Sequence, residues 1–157
     1  MLDLLEALDD RIKIEESLNS WEEAVKIGGL LLKQDGIITQ RYIERMIDVS
    51  KQLGPYIVIT PGIAIPHARP EDGAKKFGLS LLLIKNGVNF NSHNDPVFLV
   101  ISFATPDKQS HLKFLQQLAE ILQNSAEIVK KMKNLNKIGE IIHYLKNTLT
   151  KKEEASL

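Results

Sequence analysis

Residues 54–73, GPYIVITPGIAIPHARPEDG, open on a Gly-Pro turn pair and run through the apolar, β-branched segment Tyr56–Thr60 before breaking at Pro61-Gly62. A second short apolar segment follows and ends abruptly in Pro66-His67-Ala68-Arg69-Pro70. Short apolar runs bounded by Gly and Pro read as strands. Pro66 and Pro70 restrict the backbone around His67, which limits how far its ring can wander. A strand that delivers one histidine to a stiffened loop, with an arginine two residues later, is a place for chemistry.

Outward from this stretch the pattern is helices, then strands, then helices. Leu2, Leu5 and Leu8 have helical spacing, and Arg11 to Ile14 alternates like a short edge strand. Ser20-Trp21-Glu22-Glu23 is a capping box, and the periodic residues behind it predict a helix to about Lys33. Gly28 and Gly29 inside that helix cost ~1 kcal/mol each relative to alanine, and close packing onto a sheet explains them more simply than a ligand does. Thr39 caps a second helix, with Tyr42, Met46, Val49 and Leu53 on its buried stripe and Gly54 at its end.

Tyr56–Thr60, Leu79–Ile84 and Val97–Ala104 are the strand candidates, and the last two lack polar alternation, as inner strands covered on both faces do. Lys85-Asn86-Gly87 marks a turn and residues 91–96 a loop. From Ser110 the helical period returns, with His111, Leu115, Leu118 and Leu122 on one face, widened by Leu112 and Ala119. Ser125 and Asn136 cap two further helices, and Lys151 to Leu157 is a polar tail expected to fray. The expectation is a single α/β domain over residues 1–150, with a central sheet of about five strands flanked by helices on both faces.

The 157 residues suit one compact domain. Formal net charge is zero, from 20 basic and 20 acidic residues, which argues against non-specific binding to nucleic acid or an anionic membrane. The absence of cysteine excludes disulfides, thiolate metal sites and a cysteine nucleophile. MLDLLEALDD is acidic and lacks the basic start of a secretory signal, and no apolar run approaches the ~20 residues that span a bilayer. A cytosolic protein is expected.

Two histidines stand at the ends of strand candidates, where α/β sheets commonly bind ligands: His67, and His111 in the first turn of the helix after Ala104. Spacing alone is equally consistent with a loop histidine satisfied by a hydrogen bond, and His111 on an apolar helix face also reads as a boundary residue. Arg69 is by default a surface arginine, but beside a nucleophilic histidine its planar fork suits phosphoryl oxygens. The first-turn N–H groups near Ser110 and His111 could bind the same anion. His93 and Asp95 with His67 and His111 are a second grouping, for a metal, but they are scattered and lack an HxxxH-type spacing. No GxxxxGK[ST] loop, GxGxxG or nucleophile elbow is present.

GIAIPHAR, residues 62–69, resembles the signature around the phosphorylated histidine of mannitol/fructose-type EIIA domains of the bacterial phosphotransferase system. The resemblance runs from about Ser20 to Leu145 and includes SHLKFLQQLAEIL, whose His111 matches the family's second histidine. WEEAVKIGGLLL, RYIERMI and FNSHNDPV are similar to the ascorbate-type branch. The resemblance implies a mixed sheet between helices and a cytosolic phosphocarrier with no cofactor and no metal. His67 would accept a phosphoryl group from phospho-HPr and pass it to a cysteine of an EIIB protein, which serves a membrane EIIC permease, here for L-ascorbate. His111 would stabilise the phosphoryl group, and an apolar rim including Ile63, Ile65 and Pro66 would dock partners.

One departure stands out. Mannitol-type members carry an arginine near the end of the helix before the active-site strand, whereas this chain has Val49-Ser50-Lys51 there. Either Arg69 contacts the phosphate or the site relies on His111 and backbone amides. The competing expectations are a regulatory module of the nitrogen type or linked to a transcription regulator, read through the same phosphohistidine, and a metal-dependent hydrolase on the four residues above. The chain's length, with no fused regulator domain, favours transport over regulation; the oligomeric state is open, a homodimer included.

Overall fold

The computed structural model describes residues 4–156, and side chains as far as residue 149. The helices are α1 (Leu4–Leu8), α2 (Trp21–Gln34), α3 (Gln40–Leu53), α4 (Lys108–Ile121), α5 (Ser125–Met132) and α6 (Ile138–Ser156). The strands are β1 (Ile12–Glu15), β2 (Ile63–Ala64), β3 (Gly78–Val88) and β4 (Val97–Ala104). They form one mixed sheet in the order β1-β3-β4-β2. β1 runs parallel to β3 and β2 parallel to β4, while the two inner strands, β3 and β4, are antiparallel.

The inner strands bury both faces, which is why they show no polar alternation. Leu82, Ile84, Val100 and Ala104 meet the layer of α2 and α3. Leu79, Leu81, Leu83, Leu99 and Phe103 meet the opposite layer, built from α1, α4, α5 and α6. The architecture is therefore the expected α/β sandwich with helices on both faces, and β1 is the expected edge strand.

Local sequence explains the helix starts. The Ser20 hydroxyl accepts the Glu23 N–H at 3.2 Å and the Thr39 hydroxyl accepts the Tyr42 N–H at 3.3 Å. Gly28 is where α2 lies flat on the sheet. A Cβ there would sit 2.4 Å from Ser102 Oγ, and the Gly28 carbonyl accepts the Ser80 hydroxyl at 2.9 Å. Gly29 makes the same close approach to α3, where a Cβ would come 2.7 Å from Ile43.

Several expectations are corrected. The sheet has four strands rather than about five, because Tyr56–Thr60 is not a strand. Pro55 and Pro61-Gly62 fold it into turns, and Ile57 and Val58 are buried as irregular chain, with Ile57 accepting the Ile65 N–H at 2.8 Å. Lys85-Asn86-Gly87 is not a turn between elements but part of β3, whose register with β4 is irregular between Leu83 and Val88. Gly87, at φ 73°, absorbs that irregularity.

On α3 the buried stripe is Tyr42, Ile43, Met46, Ile47 and Ser50, and Val49 and Leu53 lie outside it. On α4 the buried residues are Phe114 and Leu118, while Leu112 and Ala119 face solvent. Asp107 caps α4, so the helix begins earlier than the apolar period that starts at Ser110. Residues 151–156 belong to α6, as their Lys, Glu and Ala content favours. Leu2 and Leu157 lie outside the described residues.

The packing at Gly28 is testable through its partner. Among the described residues Ser102 Oγ is buried without a hydrogen-bond partner, so Ser102→Ala should cost little. Gly28→Ala should destabilise by about 1–3 kcal/mol, and the double variant should recover most of that loss. Chemical denaturation of the four proteins measures the coupling; additive losses would mean that Ser102 is not what crowds position 28.

Candidate active site

The parallel pairing of β2 with β4 brings both chain exits to one end of the sheet. Ile63 pairs with Leu99 and Ala64 with Val100, so the segment after β2 and the segment after β4 emerge side by side. His67 belongs to the first and His111 to the second, and their ring centroids are 5.3 Å apart. His67 therefore follows an edge strand, not an inner one.

His67 is held on three sides. Its Nδ1 lies 2.7 Å from the Ile65 carbonyl oxygen. A carbonyl can only accept, so Nδ1 carries the proton and the Nε2 lone pair is free. The ring stacks on Phe103 with centroids 4.6 Å apart, and Tyr56 stands edge-on at 6.2 Å. Burial pushes the His67 pKa down, the Ile65 hydrogen bond works against that, and His111 adds to the lowering. His111, half-buried, is also lowered by burial, and its Nδ1 is 3.1 Å from the buried Thr105 hydroxyl. Both imidazoles are thereby biased to the neutral form.

A residue of the α3 core braces this loop. The Tyr42 hydroxyl donates to the Phe103 carbonyl at 2.9 Å and accepts the Ala68 N–H at 3.0 Å. It ties the end of β4 to the residue after His67, and burial pushes its own pKa up, with Ala68 opposing. Tyr42 was legible in the sequence only as a buried position on α3.

A cleft of about 760 Å³ opens in front of the two histidines, far larger than a phosphoryl group needs and large enough to admit a partner's side chain. Arg45, Val49, Gln52 and Leu53 of α3, Tyr56, the loop 67–72, and Lys108 and Leu112 of α4 line it along with His111. Its apolar rim is Leu53, 71% exposed, Leu112, 62% exposed, and Tyr56, 42% exposed. The expected rim of Ile63, Ile65 and Pro66 is instead buried behind His67, because Ile63 and Ile65 face the α4–α6 layer.

Charge gathers on one side of the cleft. Asp72 is fully buried, and Arg69 donates to it from its backbone N–H (3.1 Å), Nε (3.3 Å) and Nη2 (3.2 Å). Arg45 Nε stands 3.6 Å from the same carboxylate and Arg41 Nη2 4.0 Å. Burial alone would raise the Asp72 pKa, but the Arg69 hydrogen bonds and the Arg69 and Arg45 charges overcome it and hold it low. Arg45, Gln52 and Lys108 escaped the sequence reading. The signal was there for Arg45, since positions 45, 49, 52 and 53 share one helix stripe.

Two groupings are not assembled as expected. The Ser110 and His111 N–H groups are already taken: Asp107 accepts the first through its carboxylate at 2.7 Å and the second through its carbonyl at 3.1 Å. An anion there would meet the Asp107 carboxylate. Asp95 spends its carboxylate on the Phe90 and Ser92 N–H groups of its own loop. Among the described residues no three His, Cys, Asp or Glu side chains converge as a metal site would require, so His93 and Asp95 do not join the two cleft histidines.

Comparison with known proteins agrees with this geometry. The family profile of the phosphoenolpyruvate-dependent sugar phosphotransferase system, EIIA 2, matches residues 8–148. An ascorbate-specific PTS system EIIA component of Salmonella choleraesuis (strain SC-B67) is 39% identical over 122 residues, 76% of this chain and 79% of that protein. The ascorbate-specific EIIA component of Escherichia coli (strain K12) is 44% identical over 101 residues, 64% of this chain and 66% of that one. The solution structure of a mannitol-specific cryptic phosphotransferase enzyme IIA from Escherichia coli superposes with a TM-score of 0.80 at 32% identity, covering 89% of this chain and 95% of that one. With a profile match across nearly all its length and a relative 39% identical over 76% of it, the chain belongs to the EIIA 2 family of the sugar phosphotransferase system.

Proposed function

We propose that this chain is a phosphocarrier in which His67 Nε2 accepts a phosphoryl group from phospho-HPr and passes it to a cysteine thiolate of an EIIB protein. The observation that carries the reading is the 2.7 Å contact between His67 Nδ1 and the Ile65 carbonyl, which leaves Nε2 as the nucleophile beside an open cleft. In the first step the Nε2–P bond forms as the donor–P bond breaks. The proton stays on Nδ1, so the product ring is a cation that the Ile65 carbonyl stabilises. In the second step the S–P bond forms and the Nε2–P electrons return to the ring, which leaves as neutral imidazole. A protonated Nδ1 thus makes the phosphohistidine a good donor as well as a stable enough carrier.

His111, 5.3 Å away ring to ring, would donate to the phosphoryl oxygens as charge builds on them. The exposed Leu53, Tyr56 and Leu112 form an apolar collar that a partner would cover, shutting water out of the transfer. The names of the two ascorbate-specific relatives support ascorbate as the transported substrate. In this reading a membrane EIIC permease lies downstream of EIIB, and the carrier itself works in the cytoplasm. Asp107, which occupies the α4 N-terminus, removes backbone amides from the phosphoryl site and leaves side chains to do that work.

Phospho-HPr should place one phosphoryl group on the wild-type chain and none on His67→Ala, as read by intact mass; equal labelling of the variant would remove His67 as the nucleophile. His111→Ala should keep the fold and transfer at least about tenfold more slowly, and an unchanged single-turnover rate would leave His111 a packing residue. An adjacent acceptor decides between transport and a regulatory module: no transfer to any candidate EIIB would favour regulation.

The lowered His67 pKa has a sign that can be measured. The unfolded chain takes up the proton at the ordinary value of ~6.5, before the folded chain does. The stability due to neutral His67 is therefore present above ~6.5 and is lost as pH falls through the lower folded value. Reactivity follows the folded value alone. The rate of phosphoryl acceptance should fall with acid and reach half its high-pH value only below ~6.5. A titration of the His67 ring by NMR with a midpoint at or above ~6.5 would contradict the burial argument.

A further inference from the structure

Of the charged side chains that line the cleft, three are cations, Arg45, Arg69 and Lys108, and two are anions, Glu71 and Asp72. One positive charge is left over, and the geometry says where it resides. Arg69 is committed: both Nε and Nη2 donate to the buried Asp72, and its Nε also stands 3.7 Å from Glu71. Its side chain is 65% exposed, so it borders the cleft more than it fills it. Lys108 is exposed at the first turn of α4, next to the Asp107 cap.

Arg45 differs from both. Its side chain is only 30% exposed, and its Nε, 3.6 Å from Asp72, feels the carboxylate's charge without spending a hydrogen bond on it. It projects from α3 on the stripe that carries Val49, Gln52 and Leu53 into the cleft. A guanidinium in this partly desolvated position interacts more strongly with an anion than an exposed one does. Its planar fork can bond two phosphoryl oxygens at once.

We propose that Arg45 holds the phosphoryl oxygens at His67 during both transfers, with Asp72 setting its pose and Arg69 balancing Asp72 from the other side. The proposal rests on the phosphocarrier reading. It adds a catalytic residue one helical turn before Val49-Ser50-Lys51, where this chain has no arginine. Arg45 exchanges no proton and forms no covalent bond; it donates N–H groups to oxygens whose charge rises as the phosphoryl group moves between nucleophiles. Arg69 and Asp72 are positioning residues.

The test uses the full chain with phospho-HPr as donor and four variants, Arg45→Gln, Arg45→Lys, Arg41→Gln and Lys108→Gln. Arg41→Gln makes the same charge change beside the same carboxylate but outside the cleft. Single-turnover acceptance should slow at least about tenfold in Arg45→Gln, recover in part in Arg45→Lys, and stay within about twofold of wild type in Arg41→Gln. The phosphorus NMR titration of the phosphorylated protein should move to higher pH in Arg45→Gln only, because a nearby cation favours the dianion; a circular dichroism spectrum matching wild type separates this from loss of fold, which would also part the phosphoryl group from its cation. Rates for Arg45→Gln that match Arg41→Gln, with an unmoved titration, overturn the proposal, as does a loss confined to Lys108→Gln. Failure of the wild-type chain to be labelled at all is a separate result, and it would sink the phosphocarrier reading itself.

Discussion

The two-residue parallel pairing of β2 with β4 is the constraint on which the site depends. Parallel neighbours send their carboxyl ends out of the same edge of a sheet, and here that edge carries one histidine from each segment. An antiparallel β2 would put His67 at the far end of the molecule from His111. So short a strand has little hold of its own, and the chain reinforces it from outside the ladder. The Phe103 N–H donates to the Pro66 carbonyl at 3.2 Å, the Ile65 N–H to Ile57 at 2.8 Å, and the Tyr42 hydroxyl bridges Phe103 and Ala68.

That bracing also tunes the chemistry. A loop free to relax would let His67 rotate and hydrate. Held against Phe103 and the Ile65 carbonyl, the ring is both desolvated and fixed in one tautomer. Desolvation favours the neutral imidazole, and the carbonyl decides which nitrogen is bare. The arginine cluster solves a different problem. A buried Asp72 would be costly alone, but with Arg69 bonded to it and Arg45 nearby it becomes a fixed anchor that orders cations beside the cleft without neutralising all of them.

Much of the architecture was readable from the residues because it depends on local and nearest-layer physics. The caps at Ser20 and Thr39, the inner strands Leu79–Ile84 and Val97–Ala104, and the tight packing at Gly28 all follow from patterns within about ten residues. The misreadings share a cause. Tyr56–Thr60 has strand composition, but its backbone is turned by flanking prolines and glycine, with Ile57 and Val58 buried as loop and Tyr56 and Ile59 exposed. Val49, Leu53 and Leu112 are apolar and periodic, and nothing local says that they border a cleft instead of a core.

By itself the sequence determined an α/β sandwich, a histidine pinned between prolines, a second histidine at a helix start, and the family signature around them. Which ring nitrogen is bare, and which arginine is free, only the tertiary structure decided. The first depends on how the loop folds the His67 ring back onto a carbonyl two residues away, and the second on a carboxylate at Asp72 that binds Arg69 of its own loop closely and Arg45 of another element loosely. Spacing along a chain fixes which residues share a face, whereas hydrogen-bond partners are set by how the faces meet.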